Sequence, residues 1–183
     1  IRCIQDEIPF EIPENWAWTR LGSICSKITD GSHNPPPAQK TGYPVISAKN
    51  IKDGKICLQN VLRFTDEAGF ISENPRTNIS FGDIIIGIIG GSIGNTALYL
   101  HNTKVIAQRS IAIIKPLCLN IFVRIFFDSS LTQNTLTAKT NGSAQGGVYL
   151  GELNNLLIPL PPLAEQHRIV EEVEKLLEVC KRL

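Results

Sequence analysis

The chemistry available to this chain lies in polar side chains carried by turn-rich stretches. These are His33, Asn34, Lys40, Lys49, Asn50, Arg76, Ser92, Asn95, Gln108, Arg109, Lys139, Asn141, Ser143 and Gln145. Most of them fall in three segments, 30–40, 90–95 and 139–145. Arg pairs with the acceptor edge of guanine and Asn or Gln with adenine, while Lys, Ser and backbone amides hold phosphates. Taken singly, each is an ordinary solvated side chain. Their concentration makes the three segments the preferred recognition surface, because loops on a rigid scaffold vary without unfolding it. No Ser-His-Asp or Cys-His arrangement, paired carboxylate motif or zinc spacing can be assembled, so no catalytic residue and no metal ligand is assigned. His33, His101 and His167 are isolated, and the five cysteines are scattered and odd in number, which reads as reduced thiols.

Two strings invite sharper readings. Asn34-Pro35-Pro36-Pro37 approaches the Asn-Pro-Pro-aromatic pattern of amino-group methyltransferases, in which an aromatic ring stacks on an extruded base. Pro37 cannot stack in that way, and no glycine-rich strand-turn-helix unit precedes it to hold a methyl donor. The prolines therefore read as loop stiffening. Gly87-Ile88-Ile89-Gly90-Gly91-Ser92-Ile93-Gly94 lacks both the Gly-Lys-Ser/Thr ending of a phosphate loop and the dinucleotide-binding spacing. It reads as a tight turn between core strands whose amides and Ser92 can meet a phosphate.

Composition bounds the elements that position these residues. With 43% hydrophobic and 19% charged residues, the 183-residue chain is long enough for one domain with a core and an appendage. No apolar run approaches the roughly 20 residues of a membrane span and no secretory leader is recognisable, so a cytoplasmic location is the default expectation. The chain begins with Ile1 and contains no Met, which suggests a piece of a longer polypeptide. Net charge is +1, unevenly spread: −3 over residues 1–16, +5 over 17–160 and −1 over 161–183. A basic middle suits a phosphate-facing surface, although a well-mixed surface has the same sum.

The lead-in from Ile8 to Trp16 is proline-punctuated and extended, with aromatic anchors. Strands are expected over Gly22–Thr29, Tyr43–Ala48 and Lys55–Phe64, the last two joined through the hairpin signal Asp53-Gly54. The apolar run Ile84–Ile89, the return Asn95–His101 and the β-branched run Lys104–Lys115 form a second group. Spacing turns helical from Asn120 to about Ala138, and Leu156–Leu160 is a short strand. The tail is the strongest pattern. Ile169, Val173, Leu176, Cys180 and Leu183 recur at spacings of 4, 3, 4 and 3, one seam of a coiled-coil-type helix that wants a partner helix. An amphipathic helix folded back on its own domain would show the same periodicity.

Pro159-Leu160-Pro161-Pro162-Leu163-Ala164-Glu165-Gln166 before Ile169-Val170, together with the opening Ile12-Pro13-x-x-Trp16-x-x-x-x-Leu21-Gly22, the Gly82-Asp83 strand entry and the Gly142–Gln145 loop, resembles the DNA specificity subunits of type I restriction-modification systems. That resemblance implies an α+β architecture. A mostly β target recognition domain over 1–160, with twisted, partly barrel-like sheets and one internal helix, would be followed by a conserved-region helix over 161–183 serving as spacer or dimerisation strut. It implies recognition of one half of a split double-stranded DNA site and guidance of methyltransferase and restriction subunits, with a second recognition domain or second copy paired through the helix. S-adenosylmethionine, ATP and Mg²⁺ would belong to those partner subunits, leaving none in this non-catalytic chain. The rival readings are a methyltransferase fragment, for which no methyl-donor motif is visible, and a helix-mediated interaction module without DNA.

Overall fold

The computed structural model describes residues 3–141 and 146–180, the side chains of residues 139–141 excepted. At its centre is an antiparallel four-stranded sheet ordered β2 (Cys25–Asp30), β10 (Ile111–Pro116), β7 (Ile84–Gly87) and β8 (Thr96–Leu98). Along β7 and β10 successive side chains point to opposite faces. Ile84, Ile86, Ala112 and Ile114 enter one core, whereas Ile85, Ile111 and Ile113 enter the other. Both faces are covered, which is why the sequence shows an unbroken isoleucine run rather than alternation.

The first core is closed by helix α2 (Asn120–Asp128) through Phe122, Val123, Phe126 and Phe127, and by Leu136 of α3 (Ser130–Asn141). Helix α4 (Leu150–Asn155) adds Leu153, and helix α5 (Leu163–Cys180) adds Val170. The second core lies under β3 (Tyr43–Ile46), which pairs antiparallel with β6 (Phe64–Thr65) and parallel with β9 (Ile106–Ala107). Ile46, Ile51, Ile56, Tyr99 and Val105 fill it. A separate pair ties the ends of the body: β1 (Ala17–Arg20) runs antiparallel to β11 (Leu157–Leu160), with Ala17 opposite Leu160.

Several expectations change. The mixed α and β character holds, but among the described residues the sheets are open and none closes into a barrel. Among the described residues four α-helices precede the terminal one, not one: the helical stretch after Asn120 breaks at Ser129 into α2 and α3, and α4 and α1 (Glu67–Thr77) are additional. Helix α1 is disguised by Gly69, Asn74 and Pro75, yet Asp66 caps it by accepting from the Gly69 amide at 2.8 Å. Residues 21–24 form a 3₁₀ turn before β2, and only β5 (Lys55–Ile56) of the expected strand 55–64 is extended alongside β6. The Asp53-Gly54 turn does form, with both residues at positive φ (48° and 71°), but it joins β4 (Ile51–Lys52) to β5 instead of pairing β3 with that segment.

The terminal helix is 18 residues long, about 27 Å at the usual rise. Its first half is docked. Gln166 is buried, donates from Nε2 to the Pro161 carbonyl at 2.9 Å and accepts the Leu119 amide at 3.2 Å, so it stitches the helix entry to the start of α2. Beyond Val173 the apolar side chains Leu176, Leu177 and Val179 are exposed.

Burial on both sheet faces makes the isoleucines the sensitive positions. Ile85→Ala is expected to lower unfolding free energy by about 2–5 kcal/mol, and Ile71→Ala, on the exposed side of α1, to change it by less than about 0.5 kcal/mol. Urea denaturation of both variants beside the wild type checks the contrast.

Candidate nucleic-acid interface

Four segments distant in sequence converge where the central strands end. Leaving β2, the Gly31 amide donates to the Ile111 carbonyl at 3.1 Å and the Ser32 amide to Ala107 at 2.7 Å, while the Arg109 amide returns to Ser32 at 3.0 Å. Across the site, the Val148 amide donates to Ile88 at 2.9 Å, and Ile89 bridges to Gly147. Loops 30–34, 88–94, 107–110 and 146–150 are therefore held by backbone pairing. Gly31 is required there, because a Cβ would run into the backbone of Ala107 and Gln108.

These segments enclose a cleft of about 730 Å³ lined by Asp30, His33, Ile88, Ile89, Arg109 and residues 147–150. Asp30, at the end of β2, is its charged anchor. The His33 ring nitrogen Nε2 lies 2.5 Å from Asp30 Oδ2, Arg76 Nη2 donates to Oδ1, and Arg76 Nε reaches the Asp30 carbonyl at 3.0 Å. Burial pushes the Asp30 carboxyl up, but hydrogen bonds from His33 and Arg76, and their charges, pull it down further, so it sits below the ordinary carboxylate value. With Asp30 matched by Arg76, Arg109 is a further cation at the rim. It is exposed, and no hydrogen bond or ion pair engages its guanidinium among the described residues.

The structure distributes the other sequence candidates unequally. His33 and Arg109 line the cleft, and Arg76 acts on it through Asp30. Asn34 and Lys40 are exposed on the loop after His33, which is pinned where Arg63 donates to the Pro36 carbonyl at 2.5 Å. Gln108 is half-buried between Ile46 and Arg109, and Ser92 is half-buried in the turn after β7. Lys49 is exposed but lies on the 3₁₀ turn 48–50, away from the cleft lining. Asn95 belongs to a second, polar cleft of about 430 Å³ lined also by Lys52, Asp53 and the Arg124–Asp128 ion pair. Gln133 of α3 steadies that side by donating to the Gly94 carbonyl at 3.0 Å.

Asn50 is 5% exposed, and its Oδ1 accepts the Ser47 amide at 2.9 Å, so it closes a turn. Ser143 and Gln145 lie outside the described residues, and only the backbone of Lys139 and Asn141, in α3, is described. Of the helix seam, Ile169 packs against the first core, Val173 is half-buried, Leu176 and Cys180 are exposed, and Leu183 lies outside the described residues. Sequence reasoning missed Asp30, Ile89 and Tyr149. Asp30 and His33 three residues apart were a legible pair, whereas Ile89 is hidden at the end of a core run. Among the described residues no group of three or more His, Cys, Asp or Glu is placed to hold a metal ion, and no helix is long and apolar enough to cross a membrane.

An open cleft at the rim of a doubly covered sheet, edged by donors and the exposed Arg109 guanidinium, with a helix leaving from the body's closing strand, is the build of a recognition module. The chain matches the type I restriction modification DNA specificity domain over residues 13–183, and it belongs to that family. It is similar to the type I restriction enzyme EcoBI specificity subunit of Escherichia coli, 28% identical over 177 residues that make up 93% of this chain and 37% of that protein. The EcoEI specificity subunit of Escherichia coli is 29% identical over 194 residues, covering 100% of this chain and 31% of that one. The chain thus spans about a third of the length of these relatives. Among solved structures, the HsdS subunit from Thermoanaerobacter tengcongensis is 25% identical with a TM-score of 0.68, covering 95% of this chain and 45% of that chain. A chain from a structure on assembly and conformational transition of the type I R-M system shares the fold at 20% identity, with a TM-score of 0.70 over 95% of this chain and 42% of that one.

Asp30 makes stability depend on pH in a defined direction. Its folded pKa is depressed, so its contribution is complete above the unfolded carboxylate value, near 4, and is lost as pH falls below that through the folded value. The stability gap between wild type and Asp30→Asn is therefore expected to narrow from about pH 5 downward. Denaturant melts at successive pH values check this; a gap independent of pH would assign the loss to packing alone.

Proposed function

We propose that this chain reads one half of a split double-stranded DNA target and directs methyltransferase and endonuclease subunits to it. The observation that carries the reading is the convergence of four backbone-paired loops around a cleft that presents His33 and Arg109, in a chain of the specificity-domain family. On this reading the body, 1–160, is the recognition domain and 161–183 the conserved-region helix. Arg109 and His33 meet base edges, while Asn34, Lys40, Ser92 and Gln108 flank them and Asn95 serves from the second cleft; by residue type, Lys139, Asn141, Ser143 and Gln145 take the same work of meeting bases or phosphates. The chain itself performs no catalysis: S-adenosylmethionine, ATP and Mg²⁺ act in the partner subunits, in the cytoplasm.

The helix completes the assembly. Leu176, Leu177 and Val179 form an apolar strip that water disfavours and that no part of the described body covers. A second recognition domain, or a second copy of this chain, supplies the facing helix, with Ile169 and Val173 at the docked end of the seam and Leu176, Cys180 and Leu183 at its outer end. Gln166 and Val170 fix the angle at which the helix leaves.

Two measurements test these roles. The isolated chain is expected to bind duplex DNA weakly and with strong salt dependence, since half a site engages few phosphates. Arg109→Ala should shift base preference at one position by roughly 1–3 kcal/mol, whereas Lys40→Ala should weaken all sequences alike. Titration of a duplex panel with the chain assembled on methyltransferase subunits checks both, and equal binding to every duplex would remove the specificity role.

For the helix, Val173→Asp with Leu176→Asp is expected to abolish pairing while the body keeps its melting temperature within a few degrees, the shift that about 1 kcal/mol produces in a domain of this size. Sedimentation and thermal denaturation read the two effects separately. Global unfolding of that variant, from a wild type that stays monomeric at high concentration, would mean that the helix packs on its own body.

A further inference from the structure

The cleft between β2 and the 146–150 segment joins two unlike surfaces. One surface is apolar: Ile89, 39% exposed, and Tyr149, 56% exposed, stand over buried Ile88 and Val148. Ile89 is fixed by its bridge to Gly147, and Val148 by its bond to Ile88, so this surface is preformed. The other surface is polar. The His33 side chain is 56% exposed, and its Nε2 faces Asp30 Oδ2 at 2.5 Å. In the tautomer that donates from Nε2 to the Asp30 carboxylate, which Arg76 also engages, Nδ1 is left as a hydrogen-bond acceptor. It makes no other hydrogen bond among the described residues.

A hydrogen-bond acceptor beside an exposed apolar wall selects among base pairs. In the major groove, adenine offers an N6 amino donor next to the thymine C5 methyl, whereas cytosine offers an amino donor with no methyl beside it. Granted the DNA-reading role, on which the inference rests, we propose that this cleft reads an A·T pair, its Ile89–Tyr149 wall taking the thymine methyl and His33 Nδ1 accepting from the adenine amino group. Arg109 on the rim serves the neighbouring pair or its phosphate. Asp30 and Arg76 are positioning residues that hold the imidazole in its accepting tautomer.

The test begins with selection of preferred duplexes from a random pool by this chain assembled on methyltransferase subunits, followed by fluorescence anisotropy of that assembly on the selected duplex with each thymine in turn replaced by uracil. At one position loss of the methyl should weaken binding roughly fourfold, as expected for one buried carbon. Ile89→Ala and Tyr149→Ala should flatten that discrimination, Arg109→Ala should keep it, and Ile89→Val should retain part of it; circular dichroism confirms that each variant is folded. Replacing the paired adenine by purine, which lacks the amino group, should weaken binding to wild type but not to His33→Ala. A selection that returns no base preference overturns the DNA-reading role and this inference with it. A clear preference in which uracil matches thymine at every position, a half-site without an A·T pair, or discrimination that survives both Ile89→Ala and Tyr149→Ala overturns this inference alone.

Discussion

Water is excluded from both faces of β7 and of β10 over Ile111–Ile114, the inner strands of the sheet formed by β2, β10, β7 and β8, and the remaining architecture is a response to that constraint. A strand buried on both sides cannot carry a charge without a partner. Two ion pairs sit accordingly at opposite ends of the sheet, Asp30 with Arg76 at one and Asp83 with Lys115 at the other. The faces need two separate coverings. One is helical, from α2 to α5, and the other is assembled from short strands and turns around β3. This arrangement leaves the strand ends as the place where chemistry can be presented to solvent.

At those ends the loops are bound to one another through main-chain groups rather than through side chains. The amides of Ser32, Arg109 and Val148 are spent on neighbouring carbonyls, so the loops are positioned without calling on the side chains of Arg109, Ile89 and Tyr149. Residues 31–33 show the division of labour. Gly31 permits the close approach of two backbones, Ser32 carries the pairing, and His33 is left to the cleft, steadied by a carboxylate from the strand behind it. Such a frame tolerates replacement of what faces the ligand while keeping the positions from which it is faced.

The sequence made the doubly buried strands and the terminal helix legible because each has a periodicity that solvent enforces. An isoleucine run bounded by glycines has few solutions, and seam spacing implies a helix whatever its neighbours. Helix α1 was illegible for the opposite reason. Gly69, Asn74 and Pro75 all argue against a helix locally, and it is held by the Asp66 cap, by Arg76 on Asp30, and by packing of Gly69 beneath Pro36. The site was legible by residue type but not by placement. Asn50 and Asn95 look alike in sequence, yet one closes a buried turn and the other is exposed, because the difference lies in which backbone groups fold around them. Gln166 likewise fits a helix start in sequence, while its role as a buried cross-link to Leu119 depends on a contact 47 residues away.

Ala17 and Leu160 are direct partners in the β1–β11 ladder, so the polypeptide enters and leaves the body at one point. Topologically the body is a closed bight, but the heading of the outgoing helix is set by what the bight contains: Gln166 accepts from the Leu119 amide, and Val170 packs into the core that α2 closes. Another stretch placed between those strands would keep that heading where it supplies the same seat for Gln166 and Val170, so the start of α2 is the part of the body whose replacement would swing the helix, whatever the cleft presents.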